Sequence, residues 1–364
     1  MTLTPETARA WVDVDLGALT ANARTLTTLA GSRLLPMVKA NGYGLGAIAV
    51  ARALEPLEPW GYGVATIEEG AALRAAGIAR PILVVSPLLP GTIDGHLEHD
   101  LRPTIGDAFA LGAWCARSAH PFHVEIDTGM GRAGFRWSDA PALDAAAALL
   151  HQASGWEGVF THFHSAETDP ASVASQWERF LGVLAALPRR PPLVHAANSG
   201  AALRGPVYAG DLIRPGIFLY GGDAGGAAPA TVARLRARVL AVRRLEAGDS
   251  VSYGATWRAP RPTTIATLGL GYADGFLRAS RETAGALPRR VVELDGALVP
   301  VVGRVTMDLT MLDVGDARPV PGDVAMVYGG RISLDQQAAA AGTIAYEMLT
   351  ALGARIPRRY GSAS

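Results

Sequence analysis

The chain has 364 residues, 49% of them hydrophobic, and its 33 basic residues are balanced by 33 acidic ones for a formal net charge of zero. That is enough apolar material for more than one domain, and the neutral balance excludes the broad basic surface that nucleic acid or an anionic membrane would need in a partner. A single cysteine, Cys115, excludes an internal disulfide, and no charged-then-apolar leader or long uncharged run opens the sequence, so a two-domain cytoplasmic protein is expected.

Between residues 34 and 222, short apolar runs alternate with alanine-rich helical stretches, the pattern of repeated βα units around a parallel sheet. The runs fall at 35–39, 62–66, 82–86, 101–105, 123–127, 159–162, 193–197 and 213–220, and eight in a row predict a closed (β/α)₈ barrel over 11–233. Helix starts fit between them: Thr66 precedes Glu68 and Glu69, and Asp169 precedes Pro170. From residue 234 the texture changes. Arg234-Leu235-Arg236-Ala237-Arg238-Val239 alternates polar and apolar, and an Asp295-Gly296 hairpin signal divides 291–302. Helical spacing returns only after Leu334, so 234–364 is expected to be a mostly β domain closed by a C-terminal helix, with residues 1–10 as candidates to pair with its sheet. Cys115, in an apolar helical stretch, reads as a buried small hydrophobe, and His96 and His99, in a charged stretch, as solvated.

One lysine stands among the basic residues, Lys39, at the end of the first apolar run. Arginine replaces lysine as a charge, but it cannot serve as a nucleophile or a Schiff-base amine, which makes a lone lysine a catalytic candidate. In a (β/α)₈ barrel the active site gathers at the C-terminal strand ends, with a phosphate site commonly near strands seven and eight. Lys39, Asp127 and His162 end runs one, five and six, Asn198 and Ser199 follow run seven, and Arg214 with Gly216 belongs to run eight. An amine facing a small polar, glycine-containing cradle suits pyridoxal 5'-phosphate (PLP), which needs a Schiff-base lysine and hydroxyl and backbone donors for its phosphate.

With these motifs in place the chain resembles alanine racemase, the PLP enzyme built from a (β/α)₈ barrel and a β domain. The resemblance is carried by Val38-Lys39-Ala40-Asn41, Asp127-Thr128-Gly129-Met130-Gly131-Arg132, Thr161-His162-Phe163, Ala196-Ala197-Asn198-Ser199, Arg214-Pro215-Gly216-Ile217, Val251-Ser252-Tyr253-Gly254, Gly271-Tyr272-Ala273-Asp274-Gly275, Met307-Asp308 and Ala345-Tyr346-Glu347, which span nearly the whole chain. It implies racemisation of alanine, supplying D-alanine for peptidoglycan, with Lys39 as Schiff-base lysine and one acid/base group. Tyr253 is implied as the other, reaching the site from the second subunit of a homodimer. The resemblance further implies Arg214 at the pyridine nitrogen with His162 nearby. The phosphate would fall to Tyr43, Ser199, the backbone of Gly216 and Ile217, and Tyr346. Arg132 and the Met307 backbone would hold the substrate carboxylate, with Tyr272 and Arg278 near the entrance.

Three positions depart from the family pattern. Leu45 stands where a histidine is usual, Thr306 where a cysteine is usual, and Glu125 where many members carry a carbamylated lysine that orients the substrate-binding arginine. Competing readings have less support. Gly42-Tyr43-Gly44-Leu45-Gly46-Ala47 with Glu68 resembles part of a dinucleotide fingerprint but leaves Lys39 without a role, and His162, His164 and His195 could begin a metal site, although no metal is expected. A racemase of serine or another amino acid is the nearest enzyme alternative. A PLP decarboxylase would need an acid at the pyridine nitrogen, and a non-catalytic PLP carrier would lack Tyr253 and the β domain.

Overall fold

The structure, a computed structural model, describes residues 7–278 and 290–361. The barrel strands are short: Arg33–Leu34, Tyr62–Val64, Ile82–Pro87, Arg102–Ile105, Phe122–Asp127, Trp156–Phe160, Leu193–His195 and Leu212–Ile213. Six of them pair in parallel in that order from Tyr62–Val64 to Leu193–His195. The ring closes through parallel pairing of Arg33–Leu34 with Leu212–Ile213, a bridge between Met37 and Gly63, and a 2.8 Å bond from Arg214 N to Ala197 O. Leu35, Leu83, Leu193 and Leu212 fill the interior as one apolar layer, so the barrel is a packed core whose open space lies above it.

The connecting helices begin where their sequence provides a cap. Asp15, Thr66, Asp107, Asp139 and Asp169 each accept a backbone N–H in the first turn of the helix that follows, and Pro170 occupies the first position of Pro170–Ala186. Several expected runs are shorter or shifted: the first strand is Arg33–Leu34 instead of 35–39, the runs at 62–66 and 193–197 end at Val64 and His195, and runs six and eight also break off early. Run eight breaks after Ile213 because Pro215 has no N–H to donate, and the chain turns into the short helix Ile217–Tyr220. Run six ends at Phe160, leaving His162 in the loop beyond.

The second sheet runs in the order Thr263–Leu268, Thr310–Gly315, Ala297–Val302, Val291–Leu294, Val324–Tyr328, Ala233–Leu245, Ala10–Asp15, Arg358–Gly361. The 13-residue strand Ala233–Leu245 also pairs with Thr263–Leu268, which closes the sheet on itself. Asp295 and Gly296, at φ 49° and 72°, make the two-residue hairpin turn anticipated there. Residues 11–15, expected within the barrel, belong to this second sheet, where Ala10–Asp15 pairs antiparallel with Ala233–Leu245 and parallel with Arg358–Gly361. The reason is readable in the burial: Ala10, Val12 and Val14 face the core while Asp13 pairs with Arg236 and Arg359. Residues 1–6 lie outside the described residues. Nor does one helix close the domain; two short ones, Leu334–Ala340 and Ala345–Thr350, are followed by that last strand.

Two smaller expectations also change. His96 is 3% exposed, packed edge-on against Trp114 with Nδ1 at 3.0 Å from Thr92 O, because its helix turns it inward while the neighbouring charges face out. Cys115 is half-buried, and burial raises its thiol pKa.

Candidate active site

Immediately after Lys39 the backbone enters the left-handed region and stays there through Gly44. Ala40, Asn41, Gly42 and Tyr43 have φ of 51°, 53°, 62° and 53°, a left-handed turn in which the three non-glycine residues each cost about 1–2 kcal/mol. Gly42 N to Val38 O and Gly44 N to Ala40 O, at 2.8 and 2.7 Å, hold the turn from within. Glu69 holds it from outside, its two carboxylate oxygens accepting from Ala40 N at 2.6 Å and Ala65 N at 2.8 Å. The second domain adds a clamp: Arg358 Nε donates to Gly44 O and Tyr360 Oη to Leu45 O, both at 2.9 Å. Leu45 itself is fully buried, so the position that departs from the family pattern is tied through its carbonyl rather than its side chain.

The turn aims Lys39 into a cavity of about 300 Å³ at the C-terminal end of the barrel strands. Tyr43, Arg132, His162, Asn198, Ser199, Arg214, Gly216 and Tyr346 line it, so the walls unite most of the residues singled out in the sequence. Met37, Val85, Phe160 and Thr350, which carry no motif signal, complete it, as does Glu125. Burial lowers the pKa of Lys39, and the charge of Arg132 lowers it further against the opposing effect of Glu69.

Arg214, 4% exposed, is fixed by its partners. Its Nη1 lies 2.8 Å from His195 Nδ1, and its Nη2 donates to Thr161 O at 2.7 Å and Ala196 O at 3.1 Å and lies 3.3 Å from His162 Nδ1. Burial brings its pKa down to about 10, with Glu125 raising and Arg132 lowering it, so the guanidinium remains charged at neutral pH. His162 is held near 3 by burial and by the charges of Arg214, Arg132 and Lys39. It is therefore a neutral imidazole, and with Nδ1 accepting from Arg214 its proton sits on Nε2.

At the other end of the cavity Tyr43 stacks on Tyr220 with ring centroids 4.4 Å apart, and burial raises its pKa to about 12. Ser199 Oγ accepts from Gly216 N at 3.0 Å and Phe218 N at 3.4 Å, which leaves its hydroxyl proton free to donate. Asn198 caps the short helix Ser199–Ala202 through a 3.1 Å bond from Ala201 N. Tyr346 Oη donates to Glu167 at 2.9 Å. Ile217 stands behind Gly216 with its side chain in the core, outside the cavity wall.

Tyr253, Tyr272 and Met307 are absent from this cavity and lie at the surface, 70%, 41% and 53% exposed. Tyr253 is pushed outward by a strained turn in which Ser252 and Ala255 have φ of 67° and 47°. Tyr272 and Met307 share a rigid platform: Ala273 N donates to Met307 O at 3.0 Å, and the fully buried Asp274 pairs with Arg9 and Arg355 at 2.8 and 2.7 Å. Arg278 is exposed. Glu125, 5% exposed, has its pKa raised by burial against the pull of Arg132 and Arg214, but among the described residues no direct ion pair joins it to Arg132, which is exposed.

Residues 14–224 match the family model described as alanine racemase, N-terminal domain, and residues 232–360 match alanine racemase, C-terminal domain. The chain is 39% identical to an alanine racemase of Acidiphilium cryptum over 95% of its own length and 97% of that protein's, and 38% identical to one of Symbiobacterium thermophilum over 96% and 97%. Among solved structures, the alanine racemase of a D-cycloserine-producing Streptomyces lavendulae superposes with a TM-score of 0.89 at 32% identity, covering 100% of this chain and 99% of that one. The alanine racemase of Bartonella henselae, described with covalently bound pyridoxal phosphate, superposes with 0.89 at 30% identity, covering 97% and 100%. A lone lysine on a left-handed turn above a (β/α)₈ barrel, followed by a closed β domain, is thus accounted for by descent: the chain belongs to the alanine racemase family.

Proposed function

We propose that the chain interconverts L- and D-alanine, using PLP held in the cavity that Lys39 enters. The single observation that carries this reading is that the only lysine of the chain meets Arg214 and a hydroxyl-bearing cradle in one cavity of about 300 Å³. The residues suit the cofactor at three points. The unspent donors of Arg214 suit an acceptor nitrogen, the free hydroxyl proton of Ser199 with the hydroxyl of Tyr43 suits a phosphate that Tyr346 would join on giving up its bond to Glu167, and the lowered pKa of Lys39 favours a neutral, nucleophilic amine. When bound there, PLP supplies an electron sink that makes the α-proton of alanine removable.

The protein's own groups then divide the work. Lys39 Nζ exchanges a proton at one face of the α-carbon and Tyr253 Oη at the other, because inversion requires a base on each side. Arg132 binds the substrate carboxylate, and Met307 and Tyr272 border the entrance. Tyr253 lies outside the cavity of its own chain, so the reading includes a homodimer in which each copy lends its exposed turn to the other; the strained turn and the exposed platform support it. It also includes action in the cytoplasm, with the D-alanine entering peptidoglycan. Formation of D-alanine from L-alanine by the purified protein with PLP tests the activity, and no turnover of alanine with rapid turnover of serine would transfer the reading to another amino acid. Mixing inactive Lys39→Ala and Tyr253→Ala proteins tests the sharing of sites: activity returning on subunit exchange is expected, and continued inactivity of demonstrated hybrids would refute it.

A further inference from the structure

Beneath the cavity a chain of buried polar groups runs through the barrel from Arg214 to the opposite rim, and neither racemisation nor cofactor binding has yet used it. His195 Nδ1 lies 2.8 Å from Arg214 Nη1, His195 Nε2 lies 2.8 Å from His123 Nδ1, and His123 Nε2 lies 3.3 Å from Glu157 Oε2. The same carboxylate oxygen accepts from Arg102 Nε at 3.0 Å. Both imidazoles are fully buried, His195 stacked on Phe160 with centroids 5.0 Å apart. The ring of His123 lies against Gly158, where a Cβ would meet Nδ1 at 2.5 Å, so the backbone leaves room for this ring in this orientation.

The two ends dictate every proton between them. A guanidinium only donates, so His195 Nδ1 must accept and its proton must lie on Nε2. That proton is then given to His123 Nδ1, which places the second ring's proton on Nε2 as well, directed at an acceptor. A carboxylate fills that place. Burial holds both histidines below their ordinary pKa; for Glu157 burial acts upward, but the hydrogen bonds from His123 and Arg102 and the charge of Arg102 outweigh it and leave the carboxyl low. The chain is therefore neutral in its middle, charged at its ends, and has one polarity.

We propose that His123 and Glu157 are positioning residues for Arg214: they fix the tautomer of His195, and through it the seat of the guanidinium that faces the cofactor ring. With the opposite tautomer, His195 would turn an N–H toward an N–H of Arg214 and drive the arginine from its seat. The role of the chain in catalysis rests on the reading that Arg214 serves PLP; the proton assignment itself does not.

The experiment uses full-length protein labelled with ¹⁵N-histidine, with and without PLP, near pH 7.5, where long-range ¹H–¹⁵N spectra separate protonated from bare ring nitrogens. His123 and His195, assigned by signals lost in His123→Gln and His195→Gln, are expected as neutral rings with the proton on Nε2 in both forms. Glu157→Leu removes the terminal acceptor at a partly exposed position. It should mix the tautomers of His195 and lower kcat about tenfold, the effect of one buried group left unpaired, with KM for alanine changed less than about twofold. Glu157→Gln keeps an acceptor oxygen and should recover most of both. A proton on Nδ1 of His195 in the parent protein, unchanged tautomers in Glu157→Leu, or changed tautomers with unchanged kcat would each overturn the proposal. Should the parent protein fail to racemise alanine, the functional reading falls while the spectra still decide the proton chain.

Discussion

Gly216 offers a quantitative test of the cradle. In Gly216→Ala the new Cβ would lie 2.1 Å from Tyr43 Oη and 2.9 Å from Cζ. Real Cβ contacts stay beyond 3.0 Å, so the tyrosine must retreat by about an ångström. It has nowhere easy to go: it is 5% exposed and stacked on Tyr220 at 4.4 Å. Overpacking of this kind costs about 1–3 kcal/mol, which corresponds to a roughly five- to 150-fold weaker PLP complex if the displaced tyrosine occupies the cofactor's space. At about 2.1 cal/mol/K per residue over 364 residues, the same cost acting on folding lowers the apoprotein Tm by about 1–4 °C. PLP affinity by absorbance titration and apoprotein melting, each in wild-type and Tyr43→Phe backgrounds, complete the cycle. Removing the hydroxyl relieves the closest contact, so the two substitutions should couple by about 1 kcal/mol or more. Additive costs, with coupling under about 0.5 kcal/mol, would refute the claim that Tyr43 rests on Gly216.

Borohydride reduction of the PLP-loaded protein should fix the cofactor to one peptide containing Lys39, and Lys39→Arg should abolish both labelling and racemisation; a lysine-type PLP spectrum persisting in the variant would contradict the assignment. Tyr253→Phe should nearly abolish racemisation while solvent-deuterium exchange at the α-carbon survives for one enantiomer of alanine, and equal loss for both would argue against a division of faces. Glu125 is a carboxylate without any reaction with carbon dioxide, so activity should be indifferent to bicarbonate, and Glu125→Ala should raise KM for alanine more than it lowers kcat; because no direct ion pair joins it to Arg132, the effect on KM should be less than about tenfold. Acid should destabilise the apoprotein through its buried histidines. His162 protonates near 3 when folded but near 6.5 when unfolded, so its contribution is complete above about pH 6.5 and is lost at up to about 1.4 kcal/mol per pH unit as pH falls toward 3. Urea midpoints of wild type and His162→Gln between pH 7.5 and 4.5 check this, and identical pH slopes would show that the imidazole titrates freely.

Much of the architecture was legible in the sequence because it is dictated locally. Period-two and period-3.6 patterns mark strands and helices, Asp169 and Pro170 begin a helix by their own chemistry, and Asp295-Gly296 turns a hairpin wherever it is placed. The lone lysine pointed to the chemistry because no other residue type can form the required Schiff base. Less legible were the helpers. Glu69 reads as one of two acids in a helix's first turn, and only the fold shows its carboxylate bracing the left-handed turn after Lys39; His123 and Glu157 read as ordinary strand residues.

What the sequence alone determined, then, was the order of elements and the identity of the reactive groups, since both follow from residue type and spacing. Partnership was settled by the fold. Ala10–Asp15 joins a sheet whose other strands lie more than 200 residues away, as Ala10 against Ala237 shows, because a half-apolar strand pairs with whatever edge the folded chain presents. His162 and His195 carry the same side chain at neighbouring strand ends, yet one faces the cavity and the other is sealed beneath Arg214, and it is this depth and these neighbours, not the residue, that fix where each proton sits.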